Sequence, residues 1–110
     1  MPKRFKVRIT EAALTDLRRI SAYLTEHGSP AVARKIVGEL RDLALSLSSF
    51  PARGNIPKEL EDAGVFEYRQ LVRNPYRIFY AVSGDEVAVL LIADGRRNMQ
   101  TLLRQRLLSR

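Results

Sequence analysis

The chain has no cysteine, a single histidine and few acids for its bases. Without cysteine there is no disulfide and no thiolate nucleophile, and a cytoplasmic setting is expected over a secreted one. With only His27 and no cysteine, a zinc site would have to be built from carboxylates, so no metal and no other cofactor is expected. Long apolar runs are also missing. The longest, Val87 to Ala93, is far too short to cross a bilayer. The basic start Met1-Pro2-Lys3-Arg4 is not followed by the apolar segment of a signal peptide. No membrane partner is expected.

What is present is cationic. Nineteen Lys and Arg face 12 Asp and Glu, a net charge of +7 and a pI near 10.4. Such a balance favours polyanionic partners: DNA, RNA or an acidic protein surface. Part of the excess is local, since Arg96 to Arg110 holds five arginines and no acid. At 110 residues, with 45% apolar and 28% charged residues, one domain spanning 1–110 with a core of its own is expected.

Phe5, Val7 and Ile9 alternate with Lys6, Arg8 and Thr10, the pattern of a half-buried strand. Thr10 then suits an N-cap, and Leu14, Leu17, Ile20 and Leu24 recur at helical spacing until Gly28. Ser29-Pro30 starts a second helix, with Val32, Ala33, Ile36, Val37, Leu40, Leu43, Ala44 and Leu47 along one stripe. So short a joint makes the two helices an antiparallel hairpin. Phe50 to Gly64, punctuated by Pro51, Gly54 and Pro57, reads as loop. Three strands follow, Phe66 to Arg73, Arg77 to Val82 and Val87 to Ala93, joined by turns at Asn74-Pro75 and Ser83-Gly84-Asp85. The last is apolar on both faces and therefore central. Asn98 to Leu108 reads as a short helix with Met99, Leu102, Leu103 and Leu107 on one side. The class is α+β: an N-terminal strand, a helical hairpin packed on a mostly antiparallel sheet of about four strands, and a short C-terminal helix.

The candidate chemistry lies in side chains that recur near strand ends. Arg69, Arg73, Arg77, Arg96 and Arg97 carry guanidinium forks that grip phosphate or carboxylate, if the sheet gathers them in one cleft; the alternative is scattered edge charge. Tyr68, Tyr76 and Tyr80 stack on bases or sit half-buried with the hydroxyl at the rim. His27 stands where a helix ends and interacts with its dipole. Glu59, Glu61 and Asp62 read as a solvated turn. The C-terminal leucines either complete the core or form apolar surface for a partner peptide.

These elements, in this order and length, resemble the RelE/ParE superfamily of type II toxin–antitoxin toxins. The resemblance runs through Ala33 and its aliphatic stripe, Phe50-Pro51 with Gly54, and Tyr68-Arg69-Gln70-Leu71-Val72. It continues in Tyr76-Arg77-Ile78-Phe79-Tyr80 and Asp94-Gly95-Arg96-Arg97-Asn98-Met99. It implies one of two activities. RelE-like members cleave mRNA in the ribosome with basic sheet residues, matched here by Arg69, Arg77 and Arg97. Leu71 and Leu103 depart from that pattern, standing where a polar group and a C-terminal Tyr are common.

ParE-like members are similar to gyrase poisons, and the Asp94-Gly95-Arg96-Arg97 turn with its leucine-rich tail resembles that branch. On that branch the expected target is DNA gyrase, contacted by Arg96, Arg97, Arg104 and Arg106. The expected partner is a ParD-like antitoxin in a hetero-oligomer, with operator DNA reached only through that complex. The antitoxin is expected to seat on Leu17, Ile20, Tyr23, Leu24, Val37, Leu40 and Ala44. Removal of the Arg97 side chain is expected to reduce toxicity while leaving antitoxin binding largely intact. A plain nucleic-acid-binding module is the third reading.

Overall fold

A computed structural model describes residues 4–108; the basic start Met1–Lys3 and the last arginine of the tail, Arg110, lie outside them. The order is β1 (Lys6–Ile9), α1 (Glu11–His27), α2 (Pro30–Leu45), a 3₁₀ turn (Ser46–Ser48) and the short α3 (Lys58–Glu61), then β2 (Arg69–Arg73), β3 (Tyr76–Ser83) and β4 (Glu86–Asp94), and finally α4 (Met99–Leu103) running into a π turn at Arg104–Leu108. The four strands form one sheet in the order β1-β4-β3-β2. β2–β3 and β3–β4 are antiparallel, and β1 runs parallel to β4. β4 is therefore central, as its two apolar faces require. Among the described residues no helix is long and apolar enough to cross a membrane.

Local chemistry explains the helix ends. The Thr10 hydroxyl accepts from Ala13 N at 3.3 Å and donates to Val89 O at 2.9 Å, so one side chain starts α1 and ties it to β4. Ser29 Oγ accepts from Val32 N at 3.1 Å, and Pro30 follows at the first helical position, where its missing N–H costs nothing. In the β3–β4 turn Gly84 has φ +60, left-handed backbone that glycine adopts without Cβ strain.

The hairpin α1–α2 covers one sheet face, where Leu17, Leu40 and Ala44 meet Ile78, Tyr80 and Val89. The opposite face is covered too. There Leu60 of α3 and Met99, Leu102 and Leu103 of α4 pack on Phe79 and Leu91. The leucine tail thus completes a second half-core, and each such side chain contributes about 1.5–3 kcal/mol by its burial. Two expected boundaries shift. The second strand begins at Arg69 rather than Phe66, and the expected loop at 50–64 contains α3, which exists because Leu60 has a sheet face to bury against.

Candidate functional site

β1 ends at Ile9, which pairs with Val89, so beyond that point β4 has no strand neighbour on this side. The open edge is closed by side chains. Asp16, on α1, is the one charged residue that is buried among those described. Its Oδ2 accepts from Ile92 N at 3.0 Å. Both its oxygens accept from the Arg106 guanidinium at 2.9 Å, and Arg106 Nη2 also donates to Leu90 O at 2.9 Å. A residue 90 positions away in the chain thus latches the C-terminal turn onto α1 and onto β4 at Leu90, the residue left over where Phe79 pairs with Leu91 and Tyr80 with Val89.

Next to this latch is a groove of about 430 Å³. α1 supplies Arg19, Ile20 and Tyr23, the sheet supplies Tyr76, Ile92 and Asp94, and the turn after β4 supplies Arg96 and Arg97. Its walls are apolar and aromatic with a cationic rim, and Tyr23 is 58% exposed. Asp94 accepts from Arg96 N at 2.9 Å, from its Nε at 3.0 Å and from its Nη2 at 2.6 Å. The Arg96 side chain thereby holds the Asp94 carboxyl below the ordinary carboxylate range. Arg19 and Arg97 make no ion pair among the described residues and are the unpaired cations of the groove. Burial, with the Asp94 carboxylate beside it, raises the Tyr76 hydroxyl above its ordinary value, so it stays a protonated phenol.

The expected arginine cleft does not form. Pairing of Arg69 with Tyr80 and of Arg73 with Tyr76 puts Arg69 and Arg73 on the hairpin face, whereas Arg77, opposite Ala93, lies on the other. Each is already engaged. Arg69 Nη1 donates to Gly54 O at 2.6 Å, and Arg73 holds Glu39 at 2.9 Å. Arg77 grips both Glu59 oxygens at 2.7 and 2.8 Å, donates through Nε to Gln70, and lies over the Phe79 ring. Glu59 is consequently no solvated turn residue. The Arg77 guanidinium holds its carboxyl below the ordinary 4.5, against the opposing effect of burial. Tyr80, also raised by burial, donates to Pro51 O at 2.8 Å and accepts from Gly54 N. Tyr68 donates to Leu107 O at 3.3 Å. His27 is exposed, stacked on Tyr23 with ring centroids 4.2 Å apart, and its Nδ1 lies 3.0 Å from Tyr23 O.

A depressed carboxylate stabilises the fold only when ionised. The Glu59 contribution is therefore present above the ordinary 4.5 and lost as pH falls through its lower folded value. The stability difference between wild type and Glu59→Gln is expected to be constant near neutrality and to shrink in acid. Urea midpoints measured from neutral pH down to about pH 3 check this, and a difference that does not change with pH contradicts it.

The residues expected to bind the target separate as well. Arg96 and Arg97 share the groove, Arg104 lines a different cavity, and Arg106 is pinned to Asp16. Of the expected antitoxin seat, Leu17, Leu40 and Ala44 belong to the core and offer no surface, because the hairpin's inner stripe is spent on the sheet. Ile20, Leu24 and Val37 remain half-buried and Tyr23 exposed. Sequence reasoning missed Arg19 and Asp16. Asp16 carried a readable signal: an acid next to Leu17 and one turn before Ile20, on the apolar stripe, where a carboxylate survives only if paired.

Comparison with known proteins agrees with this architecture. Residues 7–99 match the family described as ParE toxin of type II toxin–antitoxin system, parDE. Toxin ParE3 of Caulobacter vibrioides is 27% identical over 88 residues, covering 80% of this chain and 84% of the relative. The chromosomal ParDE system of P. aeruginosa contains a chain superposing with a TM-score of 0.70 at 21% identity, over 84% of this chain and 97% of that one. The RelBE2 toxin–antitoxin complex of Mycobacterium tuberculosis gives 0.60 at 22% identity, over 83% and 91%. A mutant of the E. coli toxin RelE in its free state gives 0.59 at 14% identity, over 90% and 92%. With the family match spanning strand, hairpin, sheet and the groove-lining turn, the chain belongs to the ParE toxins of type II toxin–antitoxin systems.

Proposed function

We propose that this toxin arrests growth by acting on DNA gyrase, and that a cognate antitoxin neutralises it by laying a segment in the groove between α1 and the end of β4. The observation that carries the choice of target is the fate of Arg69 and Arg77. They face opposite sides of the sheet, and each is held by an internal acceptor. RNA cleavage through the 2′-hydroxyl needs phosphate clamps and a proton acceptor converging on one phosphodiester. Here the clamps diverge, and the Tyr76 and Tyr80 hydroxyls are held protonated by burial, so neither stands ready as a proton acceptor. Arg97 keeps its donors for an external acceptor. Its permanent charge and rigid fork suit an acidic protein surface or a DNA backbone beside a topoisomerase.

The antitoxin segment that fits is an apolar anchor against Ile20 and Tyr23 flanked by acids facing Arg19 and Arg97. Operator DNA is reached only through that complex. Because Arg97 lines the same groove as Ile20 and Tyr23, its truncation is expected to weaken antitoxin binding as well as toxicity. This revises the expectation from sequence that the two would separate. An anchor lost at the centre of such a seat costs about 1–4 kcal/mol.

The test is direct. The purified chain is incubated with gyrase and relaxed plasmid, and in parallel with translating ribosomes and a defined mRNA. Loss of supercoiling or accumulation of gyrase-linked breaks, both relieved by Arg97→Ala, is the expected result. Codon-positioned mRNA cuts with gyrase unaffected, abolished by Arg77→Ala, would overturn it in favour of a RelE-like endoribonuclease.

A further inference from the structure

The groove beside the Asp16–Arg106 latch suits an apolar anchor flanked by acids, and the chain carries such an anchor itself. Glu59 to Glu67 holds four of the 12 acids and no base, in a protein whose net charge is +7. Glu59 is committed to Arg77. Glu61, Asp62 and Glu67 are exposed and make no ion pair among the described residues. Among them stands Phe66, an aromatic side chain left 59% exposed. A single exposed apolar side chain is ordinary. What distinguishes Phe66 is its acidic surroundings, whereas the equally exposed Phe50 is followed by Arg53.

The segment is presented in a fixed shape. Gly64, at φ +77, closes α3: Gly64 N donates to Glu61 O at 2.9 Å and Val65 N to Leu60 O at 2.8 Å. Val65 then packs on the second cluster, so Phe66 and the acids at the end of α3 share one corner of the molecule. An anchor ordered before contact loses little freedom on binding. The groove offers the matching parts: Ile20, the exposed Tyr23 ring stacked on His27, and the unpaired cations Arg19 and Arg97. Anchor and groove lie on opposite sheet faces. The groove takes Tyr76 and Ile92 from the hairpin-side cluster, whereas Val65 belongs to the cluster beneath α3 and α4. Phe66 therefore cannot fill the groove of its own chain.

We propose that the groove of one copy takes Phe66 of a second copy, with Glu61, Asp62 and Glu67 facing Arg19 and Arg97, so that the toxin without its antitoxin associates head to tail. The inference rests on the reading of the groove as a seat for an acid-flanked apolar anchor, and is independent of which target Arg97 meets. Because anchor and seat face opposite ways, each pair leaves one anchor and one seat free. Association then runs on to longer chains instead of stopping at a closed pair. One aromatic anchor with charges at its rim is a small, transient interface, so association is expected at about 0.1 mM and not at about 1 µM. Two copies of charge +7 repel at long range. At about 0.15 M salt the screening length is about 8 Å, so that repulsion fades while pairs in contact persist. Arg97 is covered in every copy but the last, so crowded toxin is masked and dilution uncovers it.

Sedimentation equilibrium of the full chain, from about 1 µM to about 0.5 mM at that salt, is the test. The average mass of the wild type is expected to climb from the monomer's 12.5 kDa past twice that value without a plateau. Phe66→Ser removes the anchor and Arg97→Glu reverses the charge of the seat. Each alone should associate about tenfold or more weakly. Mixed in equal amounts they should complement: the intact groove of the first takes the intact anchor of the second, and growth stops at a pair because neither member can extend it. Both positions are exposed, so neither change touches the core. Glu61→Lys with Asp62→Lys is the second anchor-side variant. A wild type that stays monomeric at about 0.5 mM overturns the proposal. Association that Phe66→Ser leaves unchanged also overturns it, as does a mixture that gains no mass. The antitoxin seat is judged apart, by antitoxin affinity for Arg97→Glu. Weakened antitoxin binding with a monomeric wild type strikes the self-docking alone, and unaltered antitoxin binding with a self-associating wild type strikes the antitoxin seat alone.

Discussion

Replacing Asp16 by alanine is expected to destabilise the protein by about 3–5 kcal/mol, because it strips the partner from a largely buried guanidinium. Arg106 would then be left with Leu90 O alone, and Ile92 N, on the open edge of β4, would lose its acceptor. For a chain of this size the melting temperature should fall by about 12 °C or more. The C-terminal turn should also lose its tie to α1, which Arg106 alone makes, while Leu107 keeps its bond from Tyr68 and its place on the second cluster. A thermal melt of Asp16→Ala beside Arg106→Met and the double variant separates the contributions. The cycle should show coupling of about 0.5–3 kcal/mol. A melting point within a few degrees of wild type for Asp16→Ala would mean that the latch is ornamental and that the core alone holds α1 against β4.

Gly54→Ala is expected to be nearly as damaging, although the change is one methyl group. A Cβ at this position would overlap the Gln70 carbonyl oxygen and stand 2.6 Å from Tyr80 Oη. Neither obstacle is a flexible side-chain end. The Gln70 backbone is paired with Asn55, and the Tyr80 ring is fully buried with its hydroxyl bonded to Pro51 O. Relief requires the 51–55 segment to lift off β2. That movement breaks the bonds from Gly54 N to Tyr80 and from Arg69 to Gly54 O. Overpacking and two lost hydrogen bonds together cost about 3 kcal/mol. Gly38 is the internal control. A Cβ there meets nothing within 4 Å, so Gly38→Ala in α2 should stabilise by about 0.5–1 kcal/mol. Urea unfolding of the two variants should therefore move in opposite directions. Two similar shifts would show that the close approach at Gly54 is not what requires glycine.

Much of the fold could be read along the chain because its causes are local. Thr10 and Ser29 cap the helices they were expected to cap, and Gly28 ends α1. β4 is central because both its faces are apolar, a pattern visible in seven consecutive residues from Val87 to Ala93. The apolar tail was visible but ambiguous, since periodicity marks a face as apolar without naming what it meets. Only the sheet, with a second face open beneath α3 and α4, decided that Met99 and Leu103 are core. For the same reason Leu40 and Ala44 left the expected partner surface, whereas Tyr23, on the same hairpin, remained on it.

The sequence by itself determined the elements other than α3, their order, the cationic excess and the family resemblance, because caps, spacing and charge act over a few residues. Tertiary structure alone decided what each arginine does. Arg106 is committed to Asp16 across 90 positions, Arg73 to Glu39 across 34, and Arg77 to Glu59 across 18. Strand parity set Arg69 and Arg77 on opposite faces, and the turn after β4 left Arg97 without an ion pair among the described residues. A guanidinium carries the same charge wherever it stands. Whether that charge is spent inside the protein or offered to a partner depends on which carboxylate the fold brings within about 3 Å of it, and that pairing is a property of the packed chain.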